Sequence, residues 1–196
     1  MLLSLLKLWV LKASIKGNYG GIQLSDTATK AKHSDEFVIF TIQALRLIER
    51  TDPRRFSVVQ QELRYISNIP QLSGASYRRS TRECAIDFLR YRSPRKEPGY
   101  EWYLAQYACI IIHESTHGRI YRFGIPYNDK TWLRVERLCH KEAQRFARRL
   151  LSDEYNFSTL LPKFDPTWWR NYRALTKLDR TRQLLARFRE VDAARK

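Results

Sequence analysis

Residues 108–117 have the sequence ACIIIHESTH, in which an apolar run leads directly into the pattern His-Glu-x-x-His. Residues 102–118 are apolar on nearly every side, which predicts a helix at the centre of a domain. In a helix, His113 and His117 lie four residues apart on one face, and Glu114 lies beside them. The stretch therefore predicts a central helix that presents two imidazoles and a carboxylate together.

This arrangement of side chains suits a hydrolytic zinc site. Neutral imidazole nitrogens bind Zn²⁺ well, and a catalytic zinc usually has three protein ligands and a water whose pKa it lowers to roughly 7. The spacing predicts His113 and His117 as zinc ligands and Glu114 as the general base that activates the zinc-bound water. The structural alternative is a pair of half-buried histidines on a core helix. The 196-residue chain has only four histidines, so two of them seldom bracket a glutamate at this spacing by chance.

A third ligand is expected from the next predicted helix, residues 131–151. Its apolar stripe at helical spacing consists of Trp132, Cys139, Ala143, Phe146 and Leu150. Glu136 falls inside this stripe, where an unpaired charge costs several kcal/mol unless a cation or an arginine accompanies it. Arg145 and Arg149 offer the arginine alternative but project from other faces of the helix. Glu136 is therefore the predicted third zinc ligand.

Two further residues of this helix leave alternatives open. Cys139 could close a site with the two histidines, because thiolate is a strong zinc ligand, but a lone cysteine on an apolar stripe is more often a small buried side chain. His140 lies four residues after Glu136. It could be an alternative ligand, a hydrogen-bond donor to a ligand, a transition-state stabiliser or an ordinary histidine on the helix face.

Two tyrosines belong to the predicted loop between these helices, residues 121–130. The phenols of Tyr121 and Tyr127 could each donate a hydrogen bond to a tetrahedral oxyanion near the metal. Packing is the alternative role for both side chains.

Across residues 100–150 the chain resembles the gluzincin group of zinc metallopeptidases, the thermolysin-like enzymes in which a glutamate on the next helix completes the HExxH site. The resemblance rests on His113, Glu114, His117 and Glu136. It implies a zincin-like fold, a peptide or protein substrate, the two histidines and Glu136 as zinc ligands, and Glu114 as base. The chain departs from the family one turn after Glu136, where these enzymes have an aspartate that orients a zinc-bound histidine and this chain has His140.

The remaining segments predict an α+β fold, a compact zincin-like domain that is mostly helical with a small sheet. Ser34 can cap a first core helix that ends near Thr51. Pro53 can open a second helix that continues to Ile66, although its β-branched residues leave a strand possible. Arg119 stands where motifs of the family that the chain resembles usually have an apolar residue, and this departure predicts that the HExxH helix ends near Gly118.

Residues 84–88 alternate in the manner of a half-buried strand. Resemblance to zincins suggests that this strand is an edge strand above the zinc, which binds an extended peptide by strand addition. A strand that simply faces the core is the alternative.

Three units are expected along the chain. Residues 1–33 comprise an apolar N-terminal segment and, from residue 17 to residue 32, a polar, glycine-bearing linker. Residues 34–160 form the catalytic domain. Residues 161–196 form a basic amphipathic helix, with Trp168 and Trp169 as aromatic anchors. The N-terminal segment is too short and too often interrupted by lysine to span a membrane. We expect it to be an interfacial anchor or a helix that docks on the core, and we expect the C-terminal helix to pack on the domain with a solvated basic face.

Charge and cysteine content limit the partners and the compartment. The net charge of +16 predicts an acidic partner, which can be nucleic acid, an anionic membrane surface or an acidic substrate. The three cysteines are an odd number without a CxxC pair, so we expect no disulfide partner and a cytoplasmic protein, with membrane association through the N-terminal segment as an option. The leading hypothesis is a zinc metallopeptidase, and the alternative is a basic protein that binds nucleic acid or an anionic membrane and has a structural or vestigial zinc site.

Overall fold

The computed structural model describes residues 2–28, 31–91, 99–150, 161, 164–167, 170–171 and 176–193. They form a mixed α+β fold that is mostly helical with one five-stranded sheet, as the sequence predicts. The helices are α1 (Leu2–Ala13), α2 (Ala31–Thr51), α3 (Pro53–Glu62), α4 (Tyr100–Arg122), α5 (Trp132–Leu150) and α6 (Lys177–Ala193). The strands are β1 (Ile15–Tyr19), β2 (Ile22–Asp26), β3 (Tyr65–Asn68), β4 (Ala75–Arg78) and β5 (Glu83–Ile86).

The sheet is mixed and has the strand order β1-β2-β3-β5-β4. Strands β2, β3 and β5 run parallel, whereas β1 and β4 pair antiparallel at the two edges. The core combines buried strand residues such as Leu24 and Ile66 with buried helix residues such as Ile48 of α2 and Ile111 of α4. Helix α4 thus lies in the interior, as its nearly uniform apolar sequence predicts.

The segment from residue 17 to residue 32 is not a linker. It contains most of the hairpin of β1 and β2, whose two-residue turn is Gly20-Gly21 with φ angles of +57° and +84°. Glycine adopts positive φ without strain, and such a turn matches the twist of paired strands. Ile22 and Leu24 are fully buried, so the hairpin is part of the core. The linker prediction is wrong because the glycines that suggested flexibility form a tight turn.

Helix α2 begins before the predicted cap. Its first residue is Ala31, so Ser34 lies inside the helix rather than at its start. The predicted first core helix is otherwise present and ends at Thr51.

Helix α3 confirms a helix after Pro53 and shows where it stops. The carboxylate of Asp52 accepts a hydrogen bond from the backbone N–H of Arg55 at 3.2 Å and caps the helix. The helix ends at Glu62, and Ile66 belongs to β3. The second helix is therefore shorter than predicted, because its last apolar positions belong to a buried strand.

The predicted strand at residues 84–88 exists as β5, but it is not an edge strand. All residues of β5 are buried, and the strand lies between β3 and β4. The edge position belongs to β4, whose polar sequence ASYR gives no clear alternation. The edge-strand prediction for residues 84–88 is wrong, and the core-strand alternative is the one that the structure shows.

Helix α4 continues through Gly118 to Arg122, so the predicted helix end at Gly118 is also wrong. A Cβ at Gly118 would lie 3.0 Å from Glu62 Cβ and 3.0 Å from Tyr77 Cζ. The glycine therefore allows α4 to approach α3 and β4 closely, next to His117 of the motif. It marks close packing, not a helix end.

The C-terminal helix α6 is joined to the sheet by an ion pair. Arg187 donates hydrogen bonds to the buried carboxylate of Asp87, at 2.7 Å from Nε and 3.0 Å from Nη2. Asp87 directly follows β5, so this pair holds α6 against that end of the sheet. The predicted aromatic anchors Trp168 and Trp169 lie outside the described residues.

Candidate metal centre

Helix α4 places the two motif histidines side by side. The Nε2 atoms of His113 and His117 lie 3.2 Å apart. Their side chains are 19% and 14% exposed, so both rings are largely removed from solvent. Two ring nitrogens at this separation converge on one point, as they must to share a cation.

Helix α5 brings Glu136 to the same point. Its Oε2 atom lies 3.2 Å from His113 Nε2, and its Oε1 atom lies 3.6 Å from His117 Nε2. Burial alone would raise the pKa of Glu136, but the neighbouring imidazoles of His113 and His117 lower that pKa well below its usual range. The carboxylate is therefore present as an anion.

The arginine alternative for Glu136 does not match the structure. Arg145 forms an ion pair with Glu142, and Arg149 forms one with Asp52. Among the described residues, no lysine or arginine lies within ion-pair distance of Glu136, whose neighbours at that distance are the imidazoles of His113 and His117.

The donor atoms fit a tetrahedral divalent cation. Zinc ligands at about 2.0–2.1 Å from the metal lie about 3.3 Å from one another in a tetrahedron. The two Nε2 atoms lie 3.2 Å apart, and Glu136 Oε2 lies 3.2 Å from His113 Nε2, so both separations are close to this value. The contact of His117 Nε2 is with the other carboxylate oxygen, Oε1, at 3.6 Å. In addition, Glu136 Oε2 is buried and has no hydrogen-bond partner among the described residues, which leaves it available to a metal.

Cys139 and His140, the alternative donors, have different positions. The Sγ atom of buried Cys139 and the ligating nitrogens of His113 and His117 lie within 4.8 Å of one another, so this thiol is also a candidate donor. His140 is outside that group. Its Nε2 atom lies 3.1 Å from the side-chain nitrogen of Gln144, and burial, assisted by the charge of His113, lowers the pKa of His140.

Glu114 is buried between the histidines and the sheet. It is 6% exposed, and the nearby backbone amide of Tyr77 in β4 favours the charged form of its carboxylate. Burial raises the pKa of Glu114 to about 7, with His113 opposing the shift and Glu136 adding to it. A carboxyl group that titrates near neutrality can both accept and release a proton.

The two predicted tyrosines differ in their contacts. Tyr127 donates a hydrogen bond from its hydroxyl to Glu136 Oε1 at 2.7 Å, and its ring packs edge-on against His117. Tyr121 lies in the last turn of α4, not in a loop, and its ring supports the guanidinium of Arg79 at 3.4 Å. Tyr127 therefore contacts a candidate metal ligand, whereas Tyr121 stacks against the guanidinium of Arg79.

An open cleft of about 490 Å³ gives access to these groups. Edge strand β4 and the residues around it form one wall, and the other lining residues are Glu114, His117, Tyr121, Pro126, Tyr127 and Glu136. Sequence analysis missed the contribution of β4, including the Tyr77 amide and Arg79. The turn-like Ser73-Gly74 before it was the available signal, but it does not indicate where the strand pairs.

Comparison with known proteins identifies no relative. No protein-family model matches the chain, and no curated protein or solved structure matches it. The function has therefore to be inferred from the geometry of the site.

Proposed function

We propose that this protein is a zinc-dependent metallohydrolase that cleaves peptide bonds, with a gluzincin-like site of His113, His117 and Glu136. The proposal is carried by the buried carboxylate of Glu136, whose Oε2 lacks a hydrogen-bond partner among the described residues and lies 3.2 Å from His113 Nε2. A buried carboxylate oxygen without a hydrogen bond costs free energy, which a bound cation would offset. When bound, Zn²⁺ would polarise the scissile carbonyl and make the attacking water more acidic.

The chain's own groups then divide the remaining work. Glu114 accepts a proton from the attacking water and returns it to the leaving amine, a role that its burial beside His113 supports. The backbone amide of Tyr77 lies close enough to the Glu114 carboxylate to favour its charged form. The phenol of Tyr127 fixes Glu136 through Oε1, while Oε2 lies beside His113.

The position of β4 supports an extended peptide as substrate. This strand pairs with β5 on one side and forms the end of the sheet on the other. It borders the cleft that contains Glu114, so a peptide added along its free edge would run past the general base. Arg79 lies at the same wall and offers a positive charge to an acidic substrate side chain.

The first test is the zinc content of the chain. Protein purified under reducing conditions is analysed for metal as the wild type and as His117→Ala, Glu136→Ala and Cys139→Ser. We expect about one zinc per chain in the wild type and in Cys139→Ser, and much weaker binding in the other two variants. Wild type without zinc after reconstitution would overturn the proposal. Zinc retained in Glu136→Ala but lost in Cys139→Ser would make Cys139 the third ligand.

The second test separates catalysis from metal binding. Glu114→Gln should keep its zinc and lose roughly 10²- to 10⁴-fold in turnover of a mixed peptide library, because the amide cannot accept the proton. Glu101→Gln is the matched control, since it makes the same change at an exposed position in the first turn of α4. Equal turnover in the two variants would exclude Glu114 as the base.

Cys139 supports a second candidate function. Two histidines, Glu136 and Cys139 together would supply four protein donors, which is typical of a structural zinc without an open position. The protein would then be a basic binding protein, whose salt-sensitive association with an acidic partner is unaffected by Glu114→Gln. Zinc loss in both Glu136→Ala and Cys139→Ser, with no peptide hydrolysis, would favour this function.

A further inference from the structure

Helices α1 and α6 expose an unusual amount of apolar surface. Ten large hydrophobic side chains are exposed among the described residues, and six of them lie on these two helices: Leu6, Trp9, Val10, Leu178, Leu185 and Phe188. Trp9 is the most exposed of all, at 67%. We propose that this set, the α1–α6 face, docks on an anionic lipid membrane, independently of the hydrolytic function proposed above.

The two helices flank one cavity and therefore lie on the same side of the molecule. This cavity, of about 500 Å³, is lined by Leu6, Val10 and Leu11 of α1 and by Phe188 of α6. The buried side chain of Leu11 fixes α1 to the body of the protein, and the Arg187–Asp87 pair does the same for α6. The neighbouring apolar side chains on both helices are left exposed.

The α1–α6 face and the metal centre lie on opposite faces of strand β4. Ala75, Ser76, Tyr77 and Arg79 line the cleft of the candidate site, whereas Arg78, between the last two, lines the cavity between α1 and α6, and no residue lines both. Consecutive side chains of a strand point to opposite faces of the sheet. A membrane bound to the α1–α6 face would therefore leave the cleft open.

The charges around the face select anionic lipid. Helix α1 has no acidic residue, and both of its lysines, Lys7 and Lys12, are exposed. On α6, the exposed Arg182 and Arg189 each follow an exposed leucine by four residues and so share its side of the helix, whereas the exposed Glu190 is paired with Arg187. Long cationic side chains beside apolar ones reach lipid phosphates while the apolar groups enter the interface.

The apolar component distinguishes this partner from nucleic acid. Phosphate contacts require cations but not exposed leucines, whereas a tryptophan next to lysines is typical of the lipid–water interface. No helix within the described residues has the length and apolar character needed to cross a bilayer. Helix α1, with 12 residues, is suited to lie in the plane of the interface.

The test is sedimentation of the full chain with lipid vesicles. We expect binding to phosphatidylcholine vesicles that contain about 30% phosphatidylserine, and much weaker binding to phosphatidylcholine alone or at high salt. Trp9→Ala and Leu185→Ala should each weaken binding about tenfold, since each removes a large apolar group from the interface. Phe123→Ala and Ile39→Ala are matched controls, because these residues are also exposed but lie on other parts of the protein.

Three results would overturn the proposal. The first is no binding to the anionic vesicles at low salt, and the second is equal binding by Trp9→Ala, Leu185→Ala and the controls. The third is association with RNA or DNA, or self-association, that needs this face while vesicles stay unbound. Because zinc content is measured separately, failure here leaves the proposed hydrolase untouched, and loss of zinc leaves the membrane proposal untouched.

Discussion

The two oxygens of Glu136 have different surroundings, and this difference decides how the residue can bind a cation. Oε1 accepts a hydrogen bond from Tyr127, whereas Oε2 has no hydrogen-bond partner among the described residues. The phenol therefore restricts the carboxylate to one free oxygen, which lies beside His113. Tyr127 is on this account a positioning residue for the candidate ligand.

Removing the Tyr127 hydroxyl should weaken metal binding without abolishing it. Tyr127→Phe keeps the ring that packs against His117 but loses the bond to Glu136, and partners of this kind typically contribute 10- to 100-fold in metal affinity. We expect a loss of about that size in the Kd for zinc, measured by competition with a coloured chelator. Tyr121→Phe makes the same change on the cleft tyrosine that supports Arg79, and its Kd should stay near that of the wild type. A Tyr127→Phe protein with unchanged affinity would remove the positioning role.

The candidate ligands could be predicted from the sequence alone, but the side chains that contact them could not. His113 and His117 follow from the four-residue helical repeat, and Glu136 stood out as a charge within an apolar stripe; the structure brings all three together. Their role as metal ligands stays a prediction. The partner of Tyr127 could not be predicted, because hydrogen bonds made from an irregular connection follow no periodic pattern.

At the level of elements, the helices were predictable and most of the strands were not. Helix α5 follows from an apolar face that recurs every three to four residues, and α4 follows from a long run that is apolar on nearly every side. Strand β4 pairs with β5, and its sequence ASYR has no alternating apolar pattern. Strand β1 does alternate, with half-buried Ile15 and Tyr19 at its ends and exposed Lys16 and Asn18 between them, but only two apolar side chains carry that pattern. Gly20-Gly21, between the alternating residues of β1 and the buried Ile22 and Leu24 of β2, was the local signal for the hairpin.

The attachment of α6 should depend on a single arginine. Arg187→Ala leaves the buried Asp87 with Arg90 at 3.3 Å as its remaining ion-pair partner among the described residues. Loss of hydrogen bonds to a buried charge typically costs about 1–3 kcal/mol, so the free energy of unfolding in urea should fall by that amount. Arg189→Ala, an exposed change two residues along the same helix, should alter it by less than about 0.5 kcal/mol. Equal effects from both variants would mean that the Arg187–Asp87 pair does not hold α6.

For the whole molecule, the candidate metal centre matters because it lies between α4 and α5. His113 and His117 belong to α4 and Glu136 belongs to α5, so a shared cation would cross-link them through buried donors. Without a cation, the unsatisfied oxygen of Glu136 lies between these helices in the interior. The metal should therefore stabilise the fold as well as support chemistry.

This coupling predicts a thermal shift. Zinc at about 100 times its Kd should add about 2.7 kcal/mol to the free energy of unfolding, which corresponds to a rise in Tm of roughly 5–10 °C for a chain of this size. Calorimetry of the wild type with zinc and with a chelator measures the difference. Glu136→Ala should lose most of the shift, whereas Glu142→Ala, which removes another carboxylate of α5 that pairs with arginines rather than histidines, should keep it. A wild-type protein that contains zinc yet melts at the same temperature without it would place the metal outside the contact between α4 and α5, because a cation held by donors from both helices cannot leave without loosening their packing.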